Sequence, residues 1–497
     1  MSGQGKDSEY GCGCGGSSRR EFLAAAGVTA GLIAVRSLSA NTAANAGLAG
    51  RRKEDAAVRA VFLYPPSNTF ADDPNGWWSW PGNEFDAEGR QKRYTAELRK
   101  IEKKLGMKID IDDQPIATDE QVGRLKREID SKRPYGLLLV MFYNRSLGHA
   151  DALLKAAQEA GVPVVFYVGL GVKHGRVDQY RREGVYFIQS LDNFEAIEYG
   201  LRMINAKKRM SQARLLSITE AKEPREGVEK FFGTTVRVVP FRQYADAFGK
   251  IKLGRTARDW IKGIKEKAIE IRGVTDVAFE NAARAHFALR QLLERHDADG
   301  LTMNCLQRGM LKPCVSFSAL NSQLIPATCE NDLPAMYTQL LGQLLIGRPG
   351  FQHNPCYETE LNHYYASHCT CATHLRGPEG PTCRYLLRRF AHTNEGSCAI
   401  QVFWDPADAV TMVRYYPGAE PALDVYAGRV VKSHAMPPAA GCTTNVEIEM
   451  TDRTDACMVR GHHNLLFCGD EARKFRLFAQ LYKIRLAETG YTPSLPG

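Results

Sequence analysis

Short apolar runs alternate with amphipathic, charged segments through the part of the chain that follows residue 57. The run Val58–Tyr64 ends at two prolines and predicts a strand, and Leu137–Tyr143 is a continuous apolar run of the kind found in buried parallel strands. Pro163–Val168 predicts a further strand. Between them, helical periodicity predicts helices over Gln91–Lys104, Asp119–Ser131 and His149–Ala160. This alternation predicts a βαβ domain.

A second series of strands and helices follows. Asp192 and Glu195 have the spacing of a capping box, so we expect a helix from this point to about Met210. Further helices are predicted over the basic segment Arg255–Ile271 and the amphipathic segment Val277–Arg295. Apolar runs predict strands over Val185–Gln189, Ala213–Ile218, Val236–Phe241 and Gly300–Cys305. These features predict a second α/β domain.

The pattern changes after Thr370. Apolar or alternating segments become short and are separated by Gly, Pro and Asp, which is typical of antiparallel strands joined by turns. We predict such strands at Ala399–Trp404, Val410–Tyr415, Leu423–Val431 and Thr444–Met450. An amphipathic helix is expected from about Asp470 to Leu486.

The first fifty residues have the composition of a targeting segment. Ser18–Leu23 contains the twin-arginine pattern Arg19-Arg20, followed by a mild apolar run and by small residues that suit a signal peptidase. The apolar run is too short to span a membrane as a mature helix. We therefore predict export by the twin-arginine route to the periplasm or beyond, with the alternative of a disordered Gly/Ala-rich tail.

Composition fits an ordinary soluble globular protein of several domains. The chain has 497 residues, of which 44% are hydrophobic and 24% charged, with a formal net charge of +9. Residues 1–53 account for +4 of that charge, and no basic run interleaved with aromatic residues follows them. The sequence therefore gives no electrostatic footprint for nucleic acid.

Cysteines are concentrated in the second half of the chain. Eleven of them lie between Cys305 and Cys468, an odd number without paired CxxC spacing, which argues against a zinc ribbon and a complete disulfide framework. His368, Cys369, Cys371 and Cys383 remain an alternative soft-metal set. Free buried thiols are the favoured state for most of the eleven.

The stretch Ala327–Cys369 carries the candidate chemistry. Within little more than forty residues it holds Glu330, Asp332, His353, Asn354, Glu358, Glu360, His363 and His368, groups that can bind a metal and transfer protons. Far upstream, Trp77 and Trp78 stand in a Gly/Pro-rich loop. They are either a packed loop cap or an aromatic platform for the apolar face of a sugar.

Four short blocks carry a resemblance to the L-fucose and L-arabinose isomerase group. They are Ala327-Thr328-Cys329-Glu330-Asn331-Asp332, Gly350–Pro355, Ser367-His368-Cys369 and Gly461-His462-His463. The resemblance implies two Rossmann-like α/β domains followed by a mixed C-terminal domain with an antiparallel β-barrel. We accordingly divide the chain into a signal peptide and linker over 1–50 and domains over 51–183, 184–326 and 327–497. Homo-oligomers, trimers or hexamers, are also implied.

The resemblance implies aldose–ketose interconversion of a free sugar through an enediol, with a divalent metal, usually Mn²⁺. Glu330 matches a carboxylate that is both metal ligand and proton-transfer group. His368 matches a histidine of the metal site, and His463, or else His462, matches the distal histidine. Each of these residues also has a structural explanation. Glu330 could be a carboxylate at a helix N-terminus, His368 a core histidine, and His462 and His463 part of a surface turn.

The sequence departs from the family at the second carboxylate. Asn354, preceded by His353, stands at the matching position, and an amide cannot accept a proton at neutral pH. We expect Asn354 to be a metal ligand and His353 to act as ligand or base. Alternatively, Glu358 or Glu360 supplies the missing carboxylate. The competing hypotheses are an exported carbohydrate-binding protein without turnover and a different sugar reaction such as epimerisation.

Overall fold

Parallel and antiparallel sheets occupy successive parts of the chain. A computed structural model of the protein describes residues 54–72, 81–82, 84–306, 311–392, 396–452 and 454–486, all within one compact unit. The predicted signal segment, Trp77 and Trp78 lie outside these residues. Within the described ranges, no helix combines the length and the apolar character needed to cross a membrane.

The first part of the chain forms an all-parallel five-stranded sheet in the order β2-β1-β3-β4-β5. Every residue of its central strand β3 is buried, as expected where helices cover both faces of a sheet. The strands are β1 (Ala57–Leu63), β2 (Lys108–Ile111), β3 (Gly136–Met141), β4 (Val164–Gly169) and β5 (Val185–Ser190). The helices are α1 (Asn68–Asp72), α2 (Ala87–Leu105), α3 (Asp119–Lys132), α4 (Leu147–Ala160) and α5 (Phe194–Gln212).

Strand β5 corrects one expectation. The sequence predicts this strand at the start of the second series, but its residues pair in parallel with β4 from Val164↔Val185 to Gly169↔Ser190. It is the outermost strand of the first sheet. Its short apolar run suits either sheet, and only the pairing partner decides between them.

The second part forms a five-stranded sheet in the order β11-β10-β6-β8-β7, parallel except for the antiparallel pair β7–β8. Its strands are β6 (Arg214–Thr219), β7 (Arg225–Val228), β8 (Thr235–Pro240), β10 (Gly300–Met303) and β11 (Ala327–Cys329). A short strand β9 (Glu270–Arg272) lies outside this sheet and pairs with a strand in the last part of the chain. The helices are α6 (Phe241–Lys250), α7 (Arg255–Glu266), α8 (Asp276–Arg295) and α9 (Cys314–Ser322).

The last part contains a closed six-stranded antiparallel barrel in the order β16-β19-β12-β13-β18-β17, closed by pairing of β17 with β16. Its strands are β12 (Phe351–Glu358), β13 (His363–His368), β16 (Ala409–Tyr416), β17 (Ala422–Ser433), β18 (Thr444–Met450) and β19 (Asn464–Cys468). Strand β14 (Tyr385–Arg389) pairs with β9 on one side and with β15 (Cys398–Val402) on the other, and β20 (Arg485–Leu486) pairs in parallel with β17. The expected mixed α/β fold with an antiparallel barrel is confirmed.

Two helices connect the barrel to the first sheet. Helix α10 (Leu333–Ile346) packs between α5 and the barrel, and α11 (Ala472–Tyr482) packs between β17 and β5. Their apolar residues share one core with the first sheet and the barrel. Tyr199 on α5 also donates a 2.6 Å hydrogen bond to the carbonyl of Lys474 on α11. Helices α10 and α11 therefore join the barrel to the first sheet.

Candidate metal centre

A tight turn between β11 and α10 presents Glu330. Both Glu330 and Asn331 adopt left-handed backbone conformations, with φ of 62° and 56°. This conformation is uncommon for residues other than glycine, so the surrounding structure has to stabilise it. The amide of Asn331 donates to the Met303 carbonyl, and the Ser217 hydroxyl donates to its side-chain oxygen. The turn places the Glu330 carboxylate at the carboxyl end of a parallel sheet, where ligands commonly bind in α/β proteins.

Two histidines from the barrel face this carboxylate. His368 ends strand β13, and His463 immediately precedes strand β19. The Nε2 atoms of His368 and His463 lie 3.4 Å from Oε1 and from Oε2 of Glu330, respectively. Both imidazoles are buried, with 4% and 1% of the side chain exposed. Residues that are far apart in the sequence thus converge as the sequence analysis expected.

Asp332 orients His463. Nδ1 of His463 donates a 2.9 Å hydrogen bond to Oδ2 of Asp332, and the other carboxylate oxygen caps helix α10 by accepting from the amide of Ala335. Arg414 on β16 lies 3.2 Å from the same Oδ2 and also donates to the His463 carbonyl. A carboxylate on Nδ1 fixes the tautomer whose Nε2 carries a free lone pair, as is usual for histidines that bind metals.

The spacing of these groups suits a shared cation. Among the described residues, Nε2 of His463 is buried and has no hydrogen-bond partner, although it faces Glu330. Donor atoms that each lie about 2.1 Å from a tetrahedral ion are about 3.4 Å apart. One donor atom from each of Glu330, His462 and His463 lies within 4.8 Å of the others. The residues present therefore fit a divalent metal held by Glu330, His463 and either His462 or His368, whose Nε2 lies 3.4 Å from the other carboxylate oxygen of Glu330.

His462 lies at the exposed side of the centre. Its Nε2 is 3.6 Å from Oε2 of Glu330, and 71% of its side chain is accessible to solvent. The neighbouring ring of His463 is 4.3 Å away between centroids. His462 is thus positioned for a polar ligand that enters from solvent.

The charges in the centre reinforce one another. The imidazoles of His368 and His463 hold the pKa of Glu330 well below its usual value, against the effect of burial. Burial opposes protonation of His368, but Cys369 and Glu330 outweigh it and raise the pKa of His368 to about 10. The carboxylate is consequently ionised at neutral pH and available as a ligand.

His353 and Asn354 are placed differently. His353 is fully buried in the barrel, where its Nδ1 donates to the Phe351 carbonyl at 2.9 Å and its Nε2 lies 3.0 Å from the Tyr364 hydroxyl. Burial lowers its pKa to about 3. Both ring nitrogens are occupied within the barrel, so neither is directed at a ligand. Asn354 is partly buried and pairs with Ser367 in the sheet.

Asp332 and Arg414 received no role from the sequence. Asp332 belongs to the dense polar stretch, and its position directly before Leu333-Pro334 is a helix-capping signal that gives no hint of His463. Arg414 lies in the apolar strand β16, and only the folding of the barrel brings it close to Asp332 and His463. Contacts across such sequence separations have no local signature.

Comparison of the chain with known protein families and with curated proteins finds no match. The class of site is therefore defined by its own donor set, a carboxylate and two histidines around one point with a second carboxylate behind one histidine. Such a set is typical of metal centres with positions left open for a substrate.

Proposed function

We propose that the protein is a metal-dependent sugar isomerase that interconverts an aldose and a ketose, with a divalent metal, Mn²⁺ by resemblance, held by Glu330, His368 and His463. The observation that carries this proposal is the buried Nε2 of His463, which has no hydrogen bond and which Asp332 orients toward Oε2 of Glu330 at 3.4 Å. A carboxylate and two imidazoles leave open positions for two neighbouring oxygens of a sugar.

The metal, when bound, would polarise the hydroxyl and carbonyl oxygens of the substrate. Glu330 is assigned the transfer of a proton between the two adjacent sugar carbons, because its carboxylate is ionised and lies at the centre of the site. Asp332 keeps His463 in one tautomer, and Arg414 neutralises Asp332. His462 is assigned a contact with the substrate at the exposed rim.

A second candidate function is an exported carbohydrate-binding protein without turnover. The specific observation in its favour is that Asn354 cannot accept a proton and that both nitrogens of His353 are hydrogen-bonded inside the barrel. In this case the metal centre would bind the sugar oxygens without moving a proton between carbons.

Activity on a panel of free aldoses separates the two functions. We expect the Mn²⁺-loaded protein to form ketose and Glu330→Gln to lose this activity by at least about 100-fold, because an amide neither transfers the proton nor ligates as a charged group. Glu358→Gln is the matched control, since Glu358 is exposed at the far end of β12. Sugar-dependent stabilisation of the Mn²⁺-loaded protein without ketose formation would favour the binding protein instead.

A further inference from the structure

A cluster of buried thiols lies against the metal centre and has no part in the proposed function. Its members are Cys305, Cys314, Cys329, Cys369 and Cys442, of which the first four are buried and the last half-buried. They come from separate segments: the ends of β10 and β11, the start of α9, the residue after β13 and the loop before β18. Cys369 lies at the centre of the cluster, with its sulfur 3.4 Å from that of Cys314.

The cluster also contains a nitrogen donor. Nδ1 of His368 lies 3.6 Å from the sulfur of Cys369, on the opposite side of the ring from the nitrogen that faces Glu330. One donor atom from each of Cys329, His368 and Cys369 lies within 4.8 Å of the others. In tetrahedral zinc sites, sulfur ligands at about 2.3 Å from the ion lie about 3.8 Å apart, so this spacing allows one ion to bind all three groups.

We propose that Cys329, Cys369 and Nδ1 of His368 form a second metal site for a thiophilic cation, Zn²⁺. Cys305, whose thiol contacts that of Cys329, adjoins the site. His368 then lies between two ions, with Nε2 toward the Glu330 centre and Nδ1 toward the thiolates. The site uses thiols and does not depend on the sugar isomerase activity.

Zn²⁺ binding at this site is a ligand exchange without oxidation or reduction. Each cysteine ligand loses its thiol proton to solvent, and a sulfur–zinc bond replaces the sulfur–hydrogen bond. Each nitrogen of His368 that becomes a ligand also releases the proton that it carries. Burial in the barrel core raises the pKa of the Cys371 thiol, so this nearby cysteine outside the cluster keeps its proton.

Cobalt titration of the reduced full-length protein under anaerobic conditions tests the proposal. We expect thiolate-to-Co²⁺ charge-transfer absorption that Zn²⁺ abolishes by displacement. Cys329→Ser and Cys369→Ser should each lose most of this absorption, whereas Cys371→Ser, a substitution at another buried cysteine, should retain it. Glu330→Gln should also retain it, which separates failure of the thiolate site from failure of the Glu330 centre.

Proton release provides a measurement on the wild-type protein alone, independent of whether the serine variants fold. Addition of Zn²⁺ to the metal-free, reduced protein should release about two protons or more per bound ion into weakly buffered solution. Absence of a thiolate charge-transfer band in the wild type would overturn the proposal, as would a band that persists when Cys329 and Cys369 are both serine.

Discussion

His463 lies between the carboxylate of Glu330, a proposed metal ligand, and that of Asp332, which orients the ring. The substitution Asp332→Asn tests the second role. The amide can still cap α10, but its Nδ2 would then face two donors, Nδ1 of His463 and the Arg414 guanidinium. We expect metal affinity to fall about 10- to 100-fold, since removal of an outer carboxylate that orients a histidine ligand has such an effect. Isothermal titration with Mn²⁺ measures the affinity. Asp86→Asn is the control because Asp86 only caps α2, and unchanged affinity in Asp332→Asn would contradict the assignment.

His286 predicts how stability depends on pH. It is buried on α8, stacks on Trp260 and has a pKa lowered to about 3 by burial. In the unfolded chain its pKa is the ordinary 6.5, so the unfolded state binds the extra proton between these values. Stability should therefore fall as pH decreases below 6.5, by about 2 kcal/mol at pH 5 from this group.

Urea unfolding at several pH values, compared with His286→Asn, measures this contribution. The variant should show a flatter dependence between pH 6.5 and 5, whatever its stability at neutral pH. Ser316→Ala removes the hydroxyl 3.2 Å from Nδ1 and keeps the titrating ring, so it should retain the wild-type slope. Equal slopes in the wild type and His286→Asn would exclude His286 as the source.

At the scale of residues, the sequence anticipated the donors but not their orientation. Glu330, His368 and His463 were expected at the centre and do converge there. The expected capping box at Asp192 was displaced by one residue: Asn193 caps α5, whereas Asp192 has φ of 50° and binds Arg90 and Arg93 of α2. In the sequence, an aspartate that caps a helix looks the same as one that pairs with arginines. Only tertiary contacts distinguish the two roles.

Helix α10 depends on a glycine for its approach to the barrel. A Cβ at Gly342 would meet the ring of Phe467 on β19. Alanine normally favours a helix by about 1 kcal/mol over glycine, but overpacking a core costs about 1–3 kcal/mol. We expect Gly342→Ala to lower the melting temperature.

Gly263 on α7 provides the matched control. A Cβ there meets no atom within 4 Å, so Gly263→Ala should keep or raise the melting temperature. Differential scanning calorimetry of both variants measures the pair. An increase for Gly342→Ala equal to that for Gly263→Ala would contradict the close packing of α10 on the barrel.

At the scale of elements, hydrophobic periodicity identified most strands and helices. Val277–Arg295 was expected as a helix and α8 spans Asp276–Arg295, because its apolar side is long and regular. The basic segment Arg255–Ile271 was expected as one helix, but α7 ends at Glu266 and Glu270–Arg272 forms β9. That short strand exists because β14 pairs with it, a contact more than a hundred residues away.

Metal binding should stabilise the whole molecule. The turn after β11 supplies Glu330, and the barrel supplies His368 and His463, so an ion bound by all three joins separate parts of the fold. A ligand that binds only the folded state contributes about 2.7 kcal/mol at 100 times its dissociation constant. We expect Mn²⁺ to raise the melting temperature of the wild type and chelation to lower it. No such effect should occur in His463→Gln, and an equal effect there would place the stabilising ion elsewhere.

For the whole molecule, the order of the parallel and antiparallel parts was predictable from the sequence. The closure of the antiparallel strands into a barrel was not. Alternating strands and helices indicated parallel sheets, and short strands after Thr370 indicated the antiparallel unit. The pairing of β19 with β12 and β16 and the convergence of five cysteines from separate segments leave no local pattern. Both depend on contacts between distant residues, which periodicity does not encode.

The metal content of the purified protein shows whether Glu330 holds a metal ion. Wild type, Glu330→Gln and Glu358→Gln are purified without chelator, loaded with Mn²⁺, desalted and analysed by elemental mass spectrometry. We expect one Mn²⁺ per chain in the wild type and in Glu358→Gln, and its loss in Glu330→Gln. Equal Mn²⁺ content in all three proteins would contradict this expectation.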